Sequence, residues 1–314
     1  MPESINPPNL RAPLPVSALL PAVLERAARA RALIEAGEAT VGFPTGVPAI
    51  DEKCSGLQEG LHILAAEPGA GKTTFALQVA RHGARRGLPT LFLTFDEGPE
   101  QLSLKLLCAQ AGMSASRVSG GRVDPSPLVE AASTHHEVLR RISVCAGVAN
   151  LSASDIVKSL GEQIQAHGAR IGLLVVDYLQ PWAATMRNGA TEYRMAIGEL
   201  IVELRRAALE LHCPVLAISA QNRSAQGEAK MSSLRESSDL EYSADSIWFL
   251  TNDKDRPLPH PRRAVALTAG KNRFGPVGLS VPMILDGESG TIGEAGVTDA
   301  EVTSILAADA RRRR

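Results

Sequence analysis

LHILAAEPGAGKTT, residues 61–74, decides the fold of this 314-residue chain. The apolar run LHILAA reads as a buried strand. It passes directly into Glu67, Pro68, Gly69, Ala70, Gly71, Lys72, Thr73 and Thr74, and helical spacing begins near Thr73. Strand, glycine loop, lysine-threonine and helix in that order make a phosphate loop. Backbone N–H groups and the helix N-terminus surround the phosphates, Lys72 reaches the outer ones, and the Thr73 hydroxyl can ligate magnesium. Ala66 stands where the first glycine of the usual pattern falls. An ordinary glycine turn would explain the glycines, but not the strand before them or the lysine-threonine pair after.

Downstream, short apolar runs alternate with amphipathic helices, which predicts an α/β fold with a mostly parallel central sheet flanked by helices. The strand candidates are 61–66, 90–95, 141–146, 171–177, 214–219, 246–251, 264–269 and 279–285. Between the fourth and fifth, Ile197, Leu200, Ile201, Leu204, Ala208 and Leu211 mark the helix of a βαβ crossover. The last two runs, joined by NRFGPVG, predict a C-terminal antiparallel β-hairpin. Upstream, Val16, Leu19, Leu20, Val23, Leu24, Ala27, Leu33 and Ile34 follow a helical stripe, and GFPTGVP at 42–48 reads as a linker or turn. The expected organisation is an N-terminal segment with one linker-like helix (1–41), a core (42–290) and a tail (291–314) that ends in RRRR.

With 44% hydrophobic residues the chain has material for a large core, and a formal charge of −1 supplies no overall field toward DNA or membrane. Any hold on a polyanion must come from locally placed groups. Aromatics at 4% argue against base recognition by rows of stacked rings and leave backbone contacts as the mode for nucleic acid. Cys54, Cys108, Cys145 and Cys213 are scattered, which suggests neither a zinc site nor a disulfide framework and fits a reduced, cytoplasmic setting. No signal peptide and no membrane-spanning run is expected.

Two further acidic positions belong with the phosphate loop. Asp177 ends the apolar run IGLLVVD, where a buried strand delivers one carboxylate to the sheet's carboxyl edge, a place suited to magnesium and its water shell. Asp96 and Glu97 end TLFLTF, the strand after the phosphate-loop helix. A carboxylate there can polarise the water that attacks a γ-phosphate. Asp96 would also suit the N-cap of the helix that begins at Pro99; catalysis by one of the two acids is the favoured reading, and the pattern does not say which is the base.

In this order the segments resemble the DnaB-type replicative DNA helicases, ring motors with a RecA-like ATPase core. GFPTGVPAIDEKCSGLQEG, AAEPGAGKTT, LTFDEGPEQL, SASDIVKSL with LLVVDYLQ, PVLAISAQNRS, SSLRESSDLEYSAD and GKNRFGPVG follow one another as in that family, from residue 42 to about 285. The resemblance implies ATP and Mg2+ as cofactors, Lys72 and Thr73 on phosphate and magnesium, Asp177 on magnesium, and Asp96 as the catalytic acid. FDE is also similar to the paired acids of KaiC-type ATPases, which keeps Glu97 as an alternative. Gln180 of DYLQ is implied to couple nucleotide state to the DNA loops.

Those loops correspond to 181–193 and 224–239, with Arg187, Lys230 and Arg235 as cations, Arg223 just before the second and Glu236 beside Arg235 in the DNA-binding set; without the family order, Arg235-Glu236 would read as a local ion pair on a surface helix. Lys271 and Arg273, at the tip of the hairpin turn, correspond to the pair that completes the neighbouring subunit's site. The implied partners are single-stranded DNA, further copies of the chain in a hexameric ring, and a loader or replication-initiator protein, with no membrane. The family's large N-terminal domain that contacts primase has no counterpart here, and the helix at 16–36 is left to act as a linker that docks on an adjacent subunit.

The chain departs from the family at several places. Gln221 falls one place late in Ser219-Ala220-Gln221-Asn222-Arg223, and on a strand one place reverses the side-chain face. Ser238 replaces the glycine after LRES, and Tyr242-Ser243 replaces a more acidic pair. These departures support an alternative, a regulatory or DNA-binding ATPase that assembles with ATP without unwinding. A recombinase-like filament is the third reading.

Overall fold

The computed structural model describes residues 14–38, 40–148, 151–186, 190–221 and 237–296. Its strands are β1 (Gly60–Ala66), β2 (Thr90–Thr94), β3 (Ile142–Ala146), β4 (Leu173–Asp177), β5 (Pro214–Ala220), β6 (Ser246–Asn252), β7 (Arg262–Asn272), β8 (Ser280–Asp286) and β9 (Thr291–Glu294). They form one sheet in the order β3-β2-β4-β5-β1-β6-β7-β8-β9. From β3 to β6 every pairing is parallel, and from β6 to β9 every pairing is antiparallel.

The helices are α1 (Val16–Glu35), α2 (Pro48–Cys54), α3 (Lys72–Arg85), α4 (Pro99–Ala111), α5 (Ala115–Ser119), α6 (Ser126–Thr134), α7 (His136–Leu139), α8 (Ala153–Ala166), α9 (Leu179–Met186), α10 (Ala190–Leu211) and α11 (Ser237–Ser243). β1 and β4 are buried at every residue, which is why their sequences are continuous apolar runs rather than alternating ones. On one face Leu64, Val175 and Ile218 pack with Phe75 and Val79 of α3. On the other, Ile63, Val176 and Ala217 pack with Ile197, Leu200 and Leu204 of α10. The expected crossover helix therefore forms a core face in its own right. α8 starts on a capping box, with Ser152 and Asp155 each accepting from the other's backbone N–H.

Three expectations are corrected. GFPTGVP is not a linker: Phe43 and Val47 are fully buried, Phe43 bridges to Leu57, and a Cβ at Gly83 would lie 2.0 Å from the Phe43 ring. The two apolar side chains in an otherwise turn-like segment are the signal for this burial. The stretch after DYLQ is not a loop through 181–193, because α9 runs to Met186 and α10 starts at Ala190. Leu179, Trp182 and Ala183 supply its buried face. The sheet does not stop at 290, since β9 adds a strand to β8. The expected strand at 141–146 forms as β3, at the edge of the sheet and only half-buried. The second expected DNA loop, up to the start of α11, and the terminal RRRR lie outside the described residues.

The buried turn at 45–47 hangs on one carboxylate. Asp51 accepts from Thr45 N and Thr45 Oγ1, both at 2.8 Å, and from Gly46 N at 3.0 Å. Burial pushes it up to about 6, against the pull of these donors and of Arg86. The folded state thus binds this proton more tightly than the unfolded one. The resulting stabilisation is fully present below the ordinary carboxylate pKa of 3.8 and is lost as pH rises through about 6. Asp51→Asn should remove that slope from denaturant melts run between pH 4 and pH 7. The same slope in variant and wild type would refute the assignment. Asp51→Ala strips all three donors and should cost roughly 2–3 kcal/mol in the same melts.

Candidate nucleotide site

β1 lies between β5 and β6, neither of which neighbours it in sequence, so a crevice opens at the carboxyl edge where the chain leaves β1. Gly71 is the N-cap of α3 with φ 96°, and Gly69 has φ 77°. These left-handed positions curl the loop so that its N–H groups and the start of α3 face one space. Pro68 and Gly69 are exposed and Ala70 is buried, while Lys72, Thr73 and Thr74 line a cleft of about 400 Å³ with Asp96, Glu97 and Lys105. Glu67 turns away: it is buried, and Asn252 Nδ2 at the end of β6 donates to its Oε2 at 3.5 Å.

Thr73 Oγ1 donates to Asp177 Oδ2 at 2.7 Å, which joins the first turn of α3 to the end of β4. Asp177 is buried, and its Oδ1 has no hydrogen-bond partner among the described residues. Burial raises Asp177 to about 6, with Thr73 and the charge of Lys72 pulling the other way and Asp96 and Glu97 adding to the rise. A buried hydroxyl–carboxylate pair with an orphaned oxygen beside a phosphate cradle fits a magnesium ion that takes its remaining ligands from phosphate and water. Lys72 Nζ sits 5.6 Å from the centre of the Tyr178 ring, a cation–π contact that holds the ammonium over the cleft.

The two acids after β2 are in different situations. Lys105 Nζ of α4 grips both carboxylate oxygens of Glu97. Asp96 is exposed and forms no ion pair among the described residues. It does not cap α4 either, because the N-cap is Gly98 with no side-chain cap. Phe95 behind it stacks on Trp182 of α9, with centroids 4.7 Å apart. Gln180 is buried between β4 and β5, donating from Nε2 to Ser219 Oγ at 2.8 Å and accepting at Oε1 from Ala220 N at 3.1 Å. Gln221 is buried and bonds by its backbone N–H to Ala66 O, which puts it at the mouth of the phosphate loop.

Lys271 and Arg273 are not at the tip of the turn. Lys271 lies in β7 opposite Ile247, and its Nζ donates to the carbonyls of Glu241 and Tyr242 in the last turn of α11. Burial and the adjacent Arg273 lower its pKa. Arg273 Nη1 donates to Asp245 Oδ1 at 2.8 Å, and the other oxygen of Asp245 accepts from Leu61 N at 3.0 Å. The pair therefore sits at the amino edge of the parallel strands. The subunit's own phosphate loop begins after Ala66, about 17 Å further along β1 at the usual strand rise.

The structure thus brings together Lys72, Thr73, Thr74, Asp96, Glu97, Asp177 and Gln180, and separates Lys271 and Arg273 from them. Arg187, Arg223, Lys230, Arg235 and Glu236 lie outside the described residues. Sequence reasoning missed Lys105 and also Arg263, whose Nη2 donates to Gly69 O at 2.9 Å. It also missed the outer wall of the cleft, where Arg117 of α5 meets Glu288 after β8 at 3.3 Å. None of the three carries a local motif.

Residues 42–290 match the family model described as the DnaB-like helicase C-terminal domain. The chain is 28% identical over 248 residues to the replicative DNA helicase DnaB of Buchnera aphidicola subsp. Acyrthosiphon pisum (strain APS), covering 77% of this chain and 54% of the relative. It is 30% identical over 242 residues to that of Leifsonia xyli subsp. xyli (strain CTCB07), covering 75% and 52%. The chain thus aligns with about half the length of the curated relatives it matches. Among solved structures, a DnaB-like replicative helicase solved for its interactions with primase superposes with a TM-score of 0.71 at 23% identity, covering 90% of this chain and 67% of that one. A solved ATPase domain gives 0.73 at 23%, covering 90% and 99%. The KaiC-like protein PH0186 of Pyrococcus horikoshii OT3 gives 0.56 at 18%, covering 81% and 99%, so the sheet and helix arrangement is RecA-like across all three. Among the described residues no helix is long and apolar enough to cross a membrane.

Proposed function

We infer the function from one premise: the chain belongs to the DnaB-like helicase C-terminal domain family. The function is that of an ATP-driven motor on single-stranded DNA, hydrolysing Mg-ATP at interfaces between copies of the chain in a hexameric ring. The observation that carries this reading is the division of the site. The groups suited to phosphate and magnesium gather at the carboxyl edge, whereas Lys271 and Arg273 stand at the opposite edge, away from this subunit's own phosphate loop, which supports a role toward another subunit.

Magnesium, held by Thr73 and Asp177, would supply charge neutralisation for the β- and γ-phosphates. Lys72 binds the outer phosphate oxygens, and the loop N–H groups orient the chain of phosphates. Asp96 holds the attacking water and accepts its proton, because its carboxylate is open to the cleft while Glu97 is occupied by Lys105. At saturating ATP, Asp96→Asn should therefore lower turnover by about 10²-fold or more with nucleotide binding retained, and Glu97→Gln should lose much less. Reversed effects in a phosphate-release assay would give the base to Glu97.

Assembly is supported by α1, which has no buried residue and exposes Leu19, Leu20, Val23 and Leu24. An apolar groove of about 620 Å³ between α8, α9 and α10, lined by Ile156, Trp182, Leu200 and Leu204, offers this helix a seat on a neighbouring copy. DNA contact is assigned to the segments that carry Arg187, Arg223, Lys230, Arg235 and Glu236.

The test pairs ATPase rates with and without single-stranded DNA with a forked-duplex unwinding assay. DNA-stimulated turnover and strand displacement are expected, and assembly with turnover but no displacement would turn the reading to the non-unwinding ATPase. Arg235→Ala should weaken single-strand binding and reduce the slope of log affinity against log salt by roughly 0.7 for each phosphate that the arginine neutralises. An unchanged slope would reject a phosphate contact for Arg235.

A further inference from the structure

Arg273, read as a group that acts on the neighbouring subunit, needs something to aim it. We propose that Asp245, between α11 and β6, is its positioning residue, holding the guanidinium in the orientation that meets the next subunit's nucleotide. The inference rests on that reading of Arg273.

Asp245 grips Arg273 at both ends: Arg273 N donates to Asp245 O at 3.0 Å, and Arg273 Nη1 donates to Asp245 Oδ1 at 2.8 Å. The carboxylate is itself immobilised, because only a tenth of the side chain is exposed and Oδ2 accepts from Leu61 N at 3.0 Å. The backbone makes room for it. Gly60 has φ 140°, and a Cβ there would lie 2.6 Å from Asp245 Oδ2. Arg205 of α10 faces the same carboxylate, with Nη2 3.6 Å from Oδ1.

An exposed ion pair fixes little, but an acceptor anchored this way fixes the donor that binds it. About half of the Arg273 side chain remains exposed, so with one edge of its fork on Asp245 the other donors can clamp a phosphate. Lys271 is tied down beside it on the last carbonyls of α11. Asp245 therefore connects the second N–H of the strand that leads to one subunit's phosphate loop with the cation offered to the next subunit.

Asp245→Asn keeps an acceptor for Leu61 and loses the charge that orients the fork. Turnover should fall by ~10²-fold, the scale of a misplaced catalytic group, with nucleotide affinity near wild type. Mixing separates aiming from a structural effect within the subunit. Co-assembled with Lys72→Ala, whose Arg273 and Asp245 are intact, Asp245→Asn should recover activity. Co-assembled with Arg273→Ala, it should not, because every interface then has a faulty arginine. The opposite pattern would place the effect of Asp245 in its own subunit's site through Leu61 and overturn the inference. Wild-type turnover by Asp245→Asn would also overturn it. If Asp245→Asn does not fold, Asp245→Glu, which keeps the charge but shifts it by one methylene, replaces it in both mixtures with the same expected pattern. Normal turnover by Arg273→Ala would instead defeat the reading of Arg273 and the inference with it, so the two failures look different.

Discussion

Arg273→Ala should bind ATP normally and hydrolyse it about 10³-fold more slowly, the scale of an arginine supplied in trans. Arg273 lies at the amino edge of the parallel strands, held by Asp245, while the phosphate loop leaves the carboxyl edge of the same sheet. A side chain so placed stands away from its own nucleotide, so direct action on a phosphate would have to cross an interface, and an effect relayed through Asp245 and Leu61 would stay within the subunit. Mixing exposes this. An Arg273→Ala subunit keeps a sound phosphate loop, and a Lys72→Ala subunit keeps a sound Arg273, so a mixed ring contains some interfaces where both parts work. Each variant alone should be inactive, and the co-assembled pair should regain a fraction of wild-type turnover. A mixture that stays dead despite verified co-assembly would remove the trans role and, with it, the main mechanistic support for a ring motor.

Lys72→Ala should reduce turnover by at least ~10³-fold while far-ultraviolet circular dichroism and the melting temperature stay close to wild type. Lys72 opens α3, and its ammonium stands over the Tyr178 ring in the cleft rather than in either core. Its removal withdraws the main cation from the outer phosphates and leaves Phe75, Val79 and their packing untouched. Turnover at the wild-type rate would reject the phosphate-loop assignment. A loss of melting temperature in parallel with activity would instead indicate a structural role for the side chain.

The acid pair shows how far local pattern carries. FDE announces a carboxylate at the end of β2, and both residues do line the cleft. What separates them is Lys105 in the middle of α4, whose ammonium reaches back to Glu97. No spacing rule singles out that lysine, because its role depends on where α4 lies against β2. The same holds for Arg263, which reaches the phosphate loop from a strand nearly two hundred residues away.

Chain order was enough to read the strand–loop–helix at 61–85, the crossover from β4 to β5, the antiparallel ending and the candidate phosphate and magnesium groups. Each of these depends on near neighbours: buried parallel strands must be apolar throughout, and a phosphate cradle needs glycine, lysine and threonine at set positions. The folded arrangement was needed to learn that Phe43 and Val47 are core, that Glu97 is paired and Asp96 open, and that Lys271 and Arg273 are anchored at the far edge of the sheet. These depend on how elements pack, from Glu97 and Lys105, 8 positions apart, to Asp245 and Leu61, 184 positions apart. Side-chain pairing across such separations is fixed by packing, which local order does not spell out.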